Sequence, residues 1–209
     1  MAGWVRVALG HKGGGDGGQV VESTDDAGLS SNDPAYRVYP STMLDCDAVV
    51  LVGHGGVPRD FPREELQRQK TLEGQRLARG GLPLPEETAL ERRIRTWPRT
   101  PQTDPYRAGL ERLADSLRPL VTPATLVLAY NEFCAPALDE AVDALVASGA
   151  RHLVVVPSML TPGGVHSEIE IPETIAHLRT RHPAATLRYA WPFDMDAVAR
   201  LLASQVGVR

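Results

Sequence analysis

Ala48-Val49-Val50-Leu51-Val52-Gly53-His54-Gly55-Gly56 is the stretch on which the reading of this chain turns. An apolar, mostly β-branched run that stops at Gly-His-Gly-Gly reads as a fully buried parallel strand, too short for a helix. It delivers a histidine onto a glycine loop. The glycines on either side of His54 remove Cβ atoms that would block a ligand or metal from the imidazole and the neighbouring backbone N–H groups. A plain strand exit with an exposed histidine fits the same residues, because a short glycine-rich turn is a weak signal. The rest of the chain has to decide between them.

Downstream, the alternation of elements is regular. Thr125 to Ala129, His152 to Pro157 and Thr186 to Ala190 read as further strands. Between and after them, Ala137 to Ala147, Pro172 to His182 and Asp194 to Ser204 read as helices. In the first of these, Leu138, Ala141, Val142 and Leu145 share one face, and Gly149 stands where a left-handed cap is usual. Tyr106, Leu110, Leu113 and Leu117 recur at helical spacing and predict a core-facing helix ahead of the second strand. Strand, helix, strand, helix at this spacing implies right-handed parallel crossovers. The expected fold is therefore a doubly wound α/β domain with a four-stranded parallel sheet and helices on both faces. Two charged stretches, Arg63 to Arg79 and Glu86 to Thr96, are separated by Gly80-Gly81-Leu82-Pro83 and predict a helical hairpin inserted at about 63–97, standing away from the sheet.

The 209 residues, 43% of them hydrophobic, suffice for one domain with a sizeable core. A formal charge of −4 offers no basic excess, so neither a nucleic acid nor a membrane surface is an expected partner. Without a long apolar run or a signal-peptide layout, a soluble cytoplasmic protein is expected. Cys46 and Cys134 lack CxxC spacing and indicate neither a disulfide framework nor a thiolate zinc site. Residues 1–42 carry turn chemistry without an apolar period and are expected to be disordered or loosely attached, with the α/β domain at 43–209. A natural start at Met43 would make the upstream segment a product of start-site choice, and His11 within it receives no role.

Open parallel sheets bind ligands beyond the carboxyl ends of their strands. Three strand exits carry ligand chemistry: His54 after the first, Tyr130-Asn131-Glu132-Phe133-Cys134 after the second, and Met159 to Glu170, with His166, Glu168 and Glu170, after the third. Two imidazoles and a carboxylate meeting in one crevice would suit iron, cobalt, nickel or zinc. Each has a bland alternative: Glu132 as an exposed loop acid, His166 as a solvated turn residue, Glu168 or Glu170 as complements to the positive end of the following helix. His152, His177 and His182 sit at a strand start or on a surface helix. Trp97 and Trp191 read as packing residues, and Cys134 as a small buried one.

The motifs Gly53-His54-Gly55, Ala129-Tyr130-Asn131-Glu132 followed by Ala135 to Ala141, and Val155-Val156-Pro157 leading to Pro162-Gly163-Gly164-Val165-His166 and Ile171-Pro172 resemble the sirohydrochlorin cobaltochelatases and ferrochelatases. These are class II tetrapyrrole metal chelatases of cobalamin and sirohaem biosynthesis, and the resemblance is to their short, single-lobe form. It spans residues 46 to 193 apart from the insertion. It implies a chelatase-like, flavodoxin-like topology and a lyase that inserts cobalt, iron or nickel into a tetrapyrrole without a nucleotide cofactor. His54 and His166 would be the paired histidines that hold the metal and accept the pyrrole protons, and Glu132 the active-site glutamate. The short relatives are dimeric, so the resemblance also implies a homodimer, with the 63–97 insertion as an alternative cover for the crevice. The chain departs from the family pattern at Gly56, where a serine is usual, at Asn131, where an apolar residue is usual, and in the insertion.

The chemistry agrees with that reading. A macrocycle loses two pyrrole protons as the metal enters, so the site needs bases near neutrality and an open cage that can release its ion. Histidine meets both needs, with an ordinary pKa of ~6.5. Arg59, Arg63, Arg92, Arg93 and Arg95 could meet the carboxylates of such a substrate, or equally form a solvated surface laced with salt bridges to the neighbouring glutamates. Two other readings use the same crevice: a noncatalytic metal or tetrapyrrole carrier on this fold, and an unrelated metallohydrolase. The latter would call for a further carboxylate cluster, which the strand exits lack.

Overall fold

A computed structural model describes residues 46–207. The segment 1–42, the start at Met43 and His11 lie outside the described residues. Four parallel strands, β1 (Ala48–Gly53), β2 (Thr125–Tyr130), β3 (His152–Pro157) and β4 (Thr186–Tyr189), stand in the order β2-β1-β3-β4. The order follows from β1, whose residues 48–52 are at most 5% exposed. A strand apolar at every position can be buried on both faces only at the centre of a sheet, so β1 has β2 on one side and β3 on the other.

The faces separate by the period of two. Ala48, Val50 and Val52 join Ala129, Leu153, Val155 and Leu187 in a core covered by α4 (Leu138–Ala147) and α5 (Ile171–Arg181). Val49, Leu51, Leu126 and Tyr130 form a second core, under α3 (Pro105–Leu117). Because the chain leaves β1 in one direction for β2 and then passes β1 to reach β3, right-handed crossovers put α3 and α4 on opposite faces. The doubly wound fold is as expected, and Leu138, Ala141, Val142 and Leu145 are indeed the buried residues of α4.

Two local expectations need correction. In α3 the buried positions are Ala108, Leu110 and Ala114, whereas Leu113 is 50% exposed and Tyr106 39%. Small alanines let the helix approach the sheet closely, which rotates the leucine stripe partly outward. The charged hairpin, α1 (Arg63–Arg79) and α2 (Pro85–Arg95), does not stand away from the sheet. Ile94 is 1% exposed and Leu72 3%, and Arg95 donates to the carbonyls of Asn131 at 3.1 Å and Cys134 at 3.3 Å. The hairpin thus seats on the loop after β2 with one or two apolar anchors and an arginine. Asp194 caps α6 (Met195–Val206) by accepting from the amides of Asp196 and Ala197; this helix buries none of its residues.

The C-terminal end of α5 is clamped to α4 where His182 Nε2 and Arg181 donate to Asp143 at 2.6 and 2.8 Å. The His182 hydrogen bond, helped by the Arg181 charge and opposed by burial, holds the Asp143 carboxyl below the ordinary carboxylate range. A carboxyl with a depressed native pKa contributes stability above its unfolded value, about 3.9, and loses it as pH falls through the native one. Asp143→Asn is therefore expected to lower stability near neutrality, by under about 1 kcal/mol given the exposure of the pair. The gap to wild type should close in acid; urea unfolding at neutral and at acidic pH measures both.

Candidate metal centre

In the β1–β2 register Gly53 stands opposite Tyr130, and in the β1–β3 register Val52 opposite Pro157, so the three chains leave the sheet at one level. The ladder continues past the strands: the Asn131 amide donates to Gly53 O at 2.9 Å and the Glu132 amide to His54 O at 2.7 Å. This zips the histidine loop to the glutamate loop. Gly55 has φ +94°, and a Cβ there would lie 1.8 Å from the Glu132 carbonyl oxygen. The glycine is required by the approach of a neighbouring loop, where sequence reasoning credited it with opening a path to a ligand. On the other side of the loop, the His54 amide donates to Tyr106 Oη at 2.7 Å, which explains why Tyr106 stays at the surface of α3.

His166 arrives on a π-helical turn, His166–Glu170, that runs into α5. His54, Glu132 and His166 each offer one ligand atom, and these atoms lie within 4.8 Å of one another. The imidazole rings meet edge to face with centroids 4.7 Å apart, and His54 Nε2 is 3.9 Å from Glu132 Oε2. All three expected site residues therefore converge, at intermediate exposure.

The hydrogen bonds of the other ring nitrogens decide which imidazole atoms are left able to ligate. His54 Nδ1 is 2.8 Å from the Gly55 carbonyl, which can only accept, so Nδ1 carries the proton and Nε2 the lone pair. His166 Nδ1 is 2.7 Å from Glu170 Oε2, and the same argument leaves its Nε2 free. Asn131 Nδ2 donates to the same Glu170 oxygen at 2.6 Å, which fixes the carboxylate against the ring. Burial pushes the Glu170 carboxyl up, but the hydrogen bonds from His166 and Asn131 outweigh it and leave the group below its ordinary value. A ligating histidine held through its other nitrogen by a carboxylate or carbonyl is the usual arrangement at metal centres.

Sequence reasoning took Glu170 for a possible helix-end complement and Asn131 for a departure from pattern. The Glu170 pairing with His166 is visible in the sequence only as an i, i+4 spacing on a stretch that reads as loop, and Asn131, which holds Glu170 from 39 residues away, has no local signal at all. Glu168 stays out of the cluster and accepts from the Gly163 amide and Trp191 Nε1, both at 3.2 Å. Cys134 is fully buried in the second core, and burial pushes its thiol up. Of the arginines considered for substrate, Arg95 holds loop carbonyls and Arg93 pairs with Glu65 at 3.1 Å over Trp97. Arg59, Arg63 and Arg92 are exposed.

The residue that sequence reasoning missed altogether is Arg99. Its guanidinium and the Asp104 carboxylate are each 2% exposed and paired; it also donates to Gly56 O at 2.7 Å, Ile94 O at 2.9 Å and Phe133 O. Asp104 in turn caps α3 by accepting from the Arg107 amide at 2.9 Å.

A CbiX family model matches residues 102–207, just over half of the chain. The chain belongs to the CbiX family. The matched part includes Glu132 and His166. Among curated relatives, the sirohydrochlorin cobaltochelatase of Priestia megaterium is 39% identical over 70 residues, 34% of this chain and 22% of that protein. The sirohydrochlorin ferrochelatase of Bacillus subtilis (strain 168) is 30% identical over 69 residues, 33% of this chain and 26% of that protein. The chain thus spans about a quarter of the length of the curated relatives it matches. Among solved structures, a cobalamin (vitamin B12) biosynthesis CbiX protein from Marinobacter aquaeolei VT8 is 18% identical with a TM-score of 0.43, over 76% of this chain and 93% of that one. SirB from Bacillus subtilis with Fe3+ is 19% identical with a TM-score of 0.38, over 78% of this chain and 48% of that one.

In this CbiX chain Arg99→Ala is expected to destabilise by about 3–5 kcal/mol, because it leaves the Asp104 carboxylate buried without its partner. Arg99→Lys should recover little of this, since an ammonium cannot reach the same set of acceptors as the planar fork. Urea unfolding of the two variants beside wild type checks it.

Proposed function

We propose that this chain is a metal chelatase that inserts a divalent metal, cobalt or iron, into a sirohydrochlorin-type tetrapyrrole. The observation that carries the reading is the meeting of His54, Glu132 and His166 with both imidazoles held through Nδ1. Names of the curated relatives support the substrate class. The physical demands of the reaction fit these residues. An incoming ion needs donors that bind it and then let it go, and two neutral imidazoles with one carboxylate form an incomplete, open set. As the ion passes into the macrocycle, each Nε2 is freed of metal and can take a pyrrole proton. Glu170 and the Gly55 carbonyl then stabilise the imidazolium forms by accepting from Nδ1. Glu132 supplies negative charge that attracts the cation. Nickel is a further candidate ion for the same donors, and cobalamin or sirohaem biosynthesis are the corresponding settings.

The working form is proposed to be a homodimer. α6 presents Leu201, Leu202 and Val206 at 54%, 56% and 75% exposure, an apolar stripe that a second copy can cover in a symmetric pair. Among the described residues no helix is long and apolar enough to cross a membrane.

Anaerobic incubation with sirohydrochlorin and cobalt(II) or iron(II), followed in the visible spectrum, tests the activity. Wild type should exceed the uncatalysed rate, and His54→Ala and His166→Ala should each lose about two orders of magnitude or more while staying folded. A carrier would bind metal or macrocycle without accelerating insertion, and near-wild-type turnover in either variant would refute the assignment. Glu132→Gln should chiefly raise the metal concentration required. Light scattering at micromolar concentration should give a dimer mass for wild type and a monomer mass for Leu202→Glu; a fully active wild-type monomer would rule the dimer out.

A further inference from the structure

We infer that Phe133 is a contact for the macrocycle, its phenyl ring set beside His54 to meet the flat conjugated face of the tetrapyrrole; this rests on the reading of the site as a chelatase and deepens it. The backbone gives the first indication. Phe133 has φ +55°, and among the described residues it is the only one other than glycine with a positive φ. A bulky side chain in the left-handed region is costly, whereas glycine takes that conformation freely. Such outliers persist only where the surrounding structure over-determines them, and they collect at ligand sites.

The surroundings of Phe133 do fix its backbone. Buried Arg99 donates to the Phe133 carbonyl, Arg95 donates to the carbonyls of Asn131 and Cys134, and the Cys134 amide turns back to Glu132 O at 2.6 Å. None of these bonds calls for a phenyl ring. Packing does not call for it either, because Phe133 belongs to neither apolar core of the sheet and is only half-buried. Its ring contact among the described residues is His54, with centroids 6.4 Å apart and planes tilted by 34°. A large apolar ring that strains the backbone, adds nothing to either core and stands against a metal-binding imidazole has its use at the site.

The chemistry of the ring selects between the two substrates. A phenyl group offers no donor to a metal ion and nothing to a carboxylate; it gains by meeting apolar, conjugated surface, which only the macrocycle has. The angle agrees. An ion bound by Nε2 lies in the plane of its imidazole, so a macrocycle that receives the ion lies across that plane. A ring tilted by only 34° from the imidazole stands steeply to such a macrocycle and meets its face edge first. Edge-to-face contact is a favoured aromatic arrangement. Two edges side by side, one carrying the ion and one apolar, seat the macrocycle over His54.

The test is anaerobic titration of metal-free sirohydrochlorin into the full chain, followed by its fluorescence, beside a titration of cobalt(II) followed by its visible absorption at the histidine cluster. Phe133→Gly removes the ring and suits the backbone, and Phe133→Leu keeps apolar bulk without an aromatic edge. The glycine variant is expected to bind sirohydrochlorin about ten-fold more weakly than wild type, and the leucine variant about three-fold. Both should bind cobalt(II) with unchanged affinity and spectrum. In the insertion assay the KM for the macrocycle should rise while the KM for the metal stays. A ring that merely shaped the loop would move both substrates together. Wild-type affinity for sirohydrochlorin in the glycine variant, or a parallel loss of cobalt(II) affinity in both variants, would overturn the macrocycle contact alone. A wild-type chain that neither binds nor metallates sirohydrochlorin would overturn the chelatase reading and this contact with it.

Discussion

The site depends on one buried guanidinium. Arg99 is almost fully enclosed, and each acceptor it meets belongs to a different part of the structure: Asp104 at the start of α3, Ile94 near the end of α2, Gly56 after β1 and Phe133 after β2. The two terminal nitrogens make all of these bonds, while Nε is buried without a partner; a buried charge is costly unless paired and hydrogen-bonded, so these segments are held together by the cost of stripping the guanidinium of its acceptors. Two of the segments carry His54 and Glu132. Loops bear the chemistry here, and their positions are fixed by an ion pair and by main-chain bonds, since loops have little apolar surface to bury.

Above that frame, parallel topology does the gathering. Adjacent parallel strands end at one level, so residues 77 positions apart in the chain, Gly53 and Tyr130, stand side by side. The imidazoles are then oriented from behind, one by a backbone carbonyl and one by a carboxylate. This leaves matched Nε2 lone pairs and only one carboxylate beside them. Such a set offers donors on one side only and leaves the other side open.

The charged hairpin takes its meaning from where it sits. Its glutamates and arginines pair densely, as a solvated surface would, but the pairing is uneven on the side that faces Glu132 and Glu170. An element thin in apolar residues is thus held to the loop after β2 by a few anchors, Ile94 and Arg95 among them.

The sequence by itself determined the sheet and its cargo. β1 is apolar at every position and can only be central; α4 announces its buried face through Leu138, Ala141, Val142 and Leu145; and the strand exits name His54, Glu132 and His166, because in a parallel sheet the residues after the strands share one crevice. Those signals are local, carried by periodicity and position. What tertiary structure decided involves partners distant in the chain. Arg99 looks like any arginine near a turn until four acceptors close around it. Gly55 answers to a carbonyl 77 residues away, Asn131 and Glu170 find His166 only once a π-turn brings them together, and the hairpin turns inward on Ile94 and Arg95. Periodicity reports which side of an element is apolar, whereas hydrogen-bond satisfaction and close backbone approach depend on what the finished fold places opposite, and no spacing along the chain encodes that.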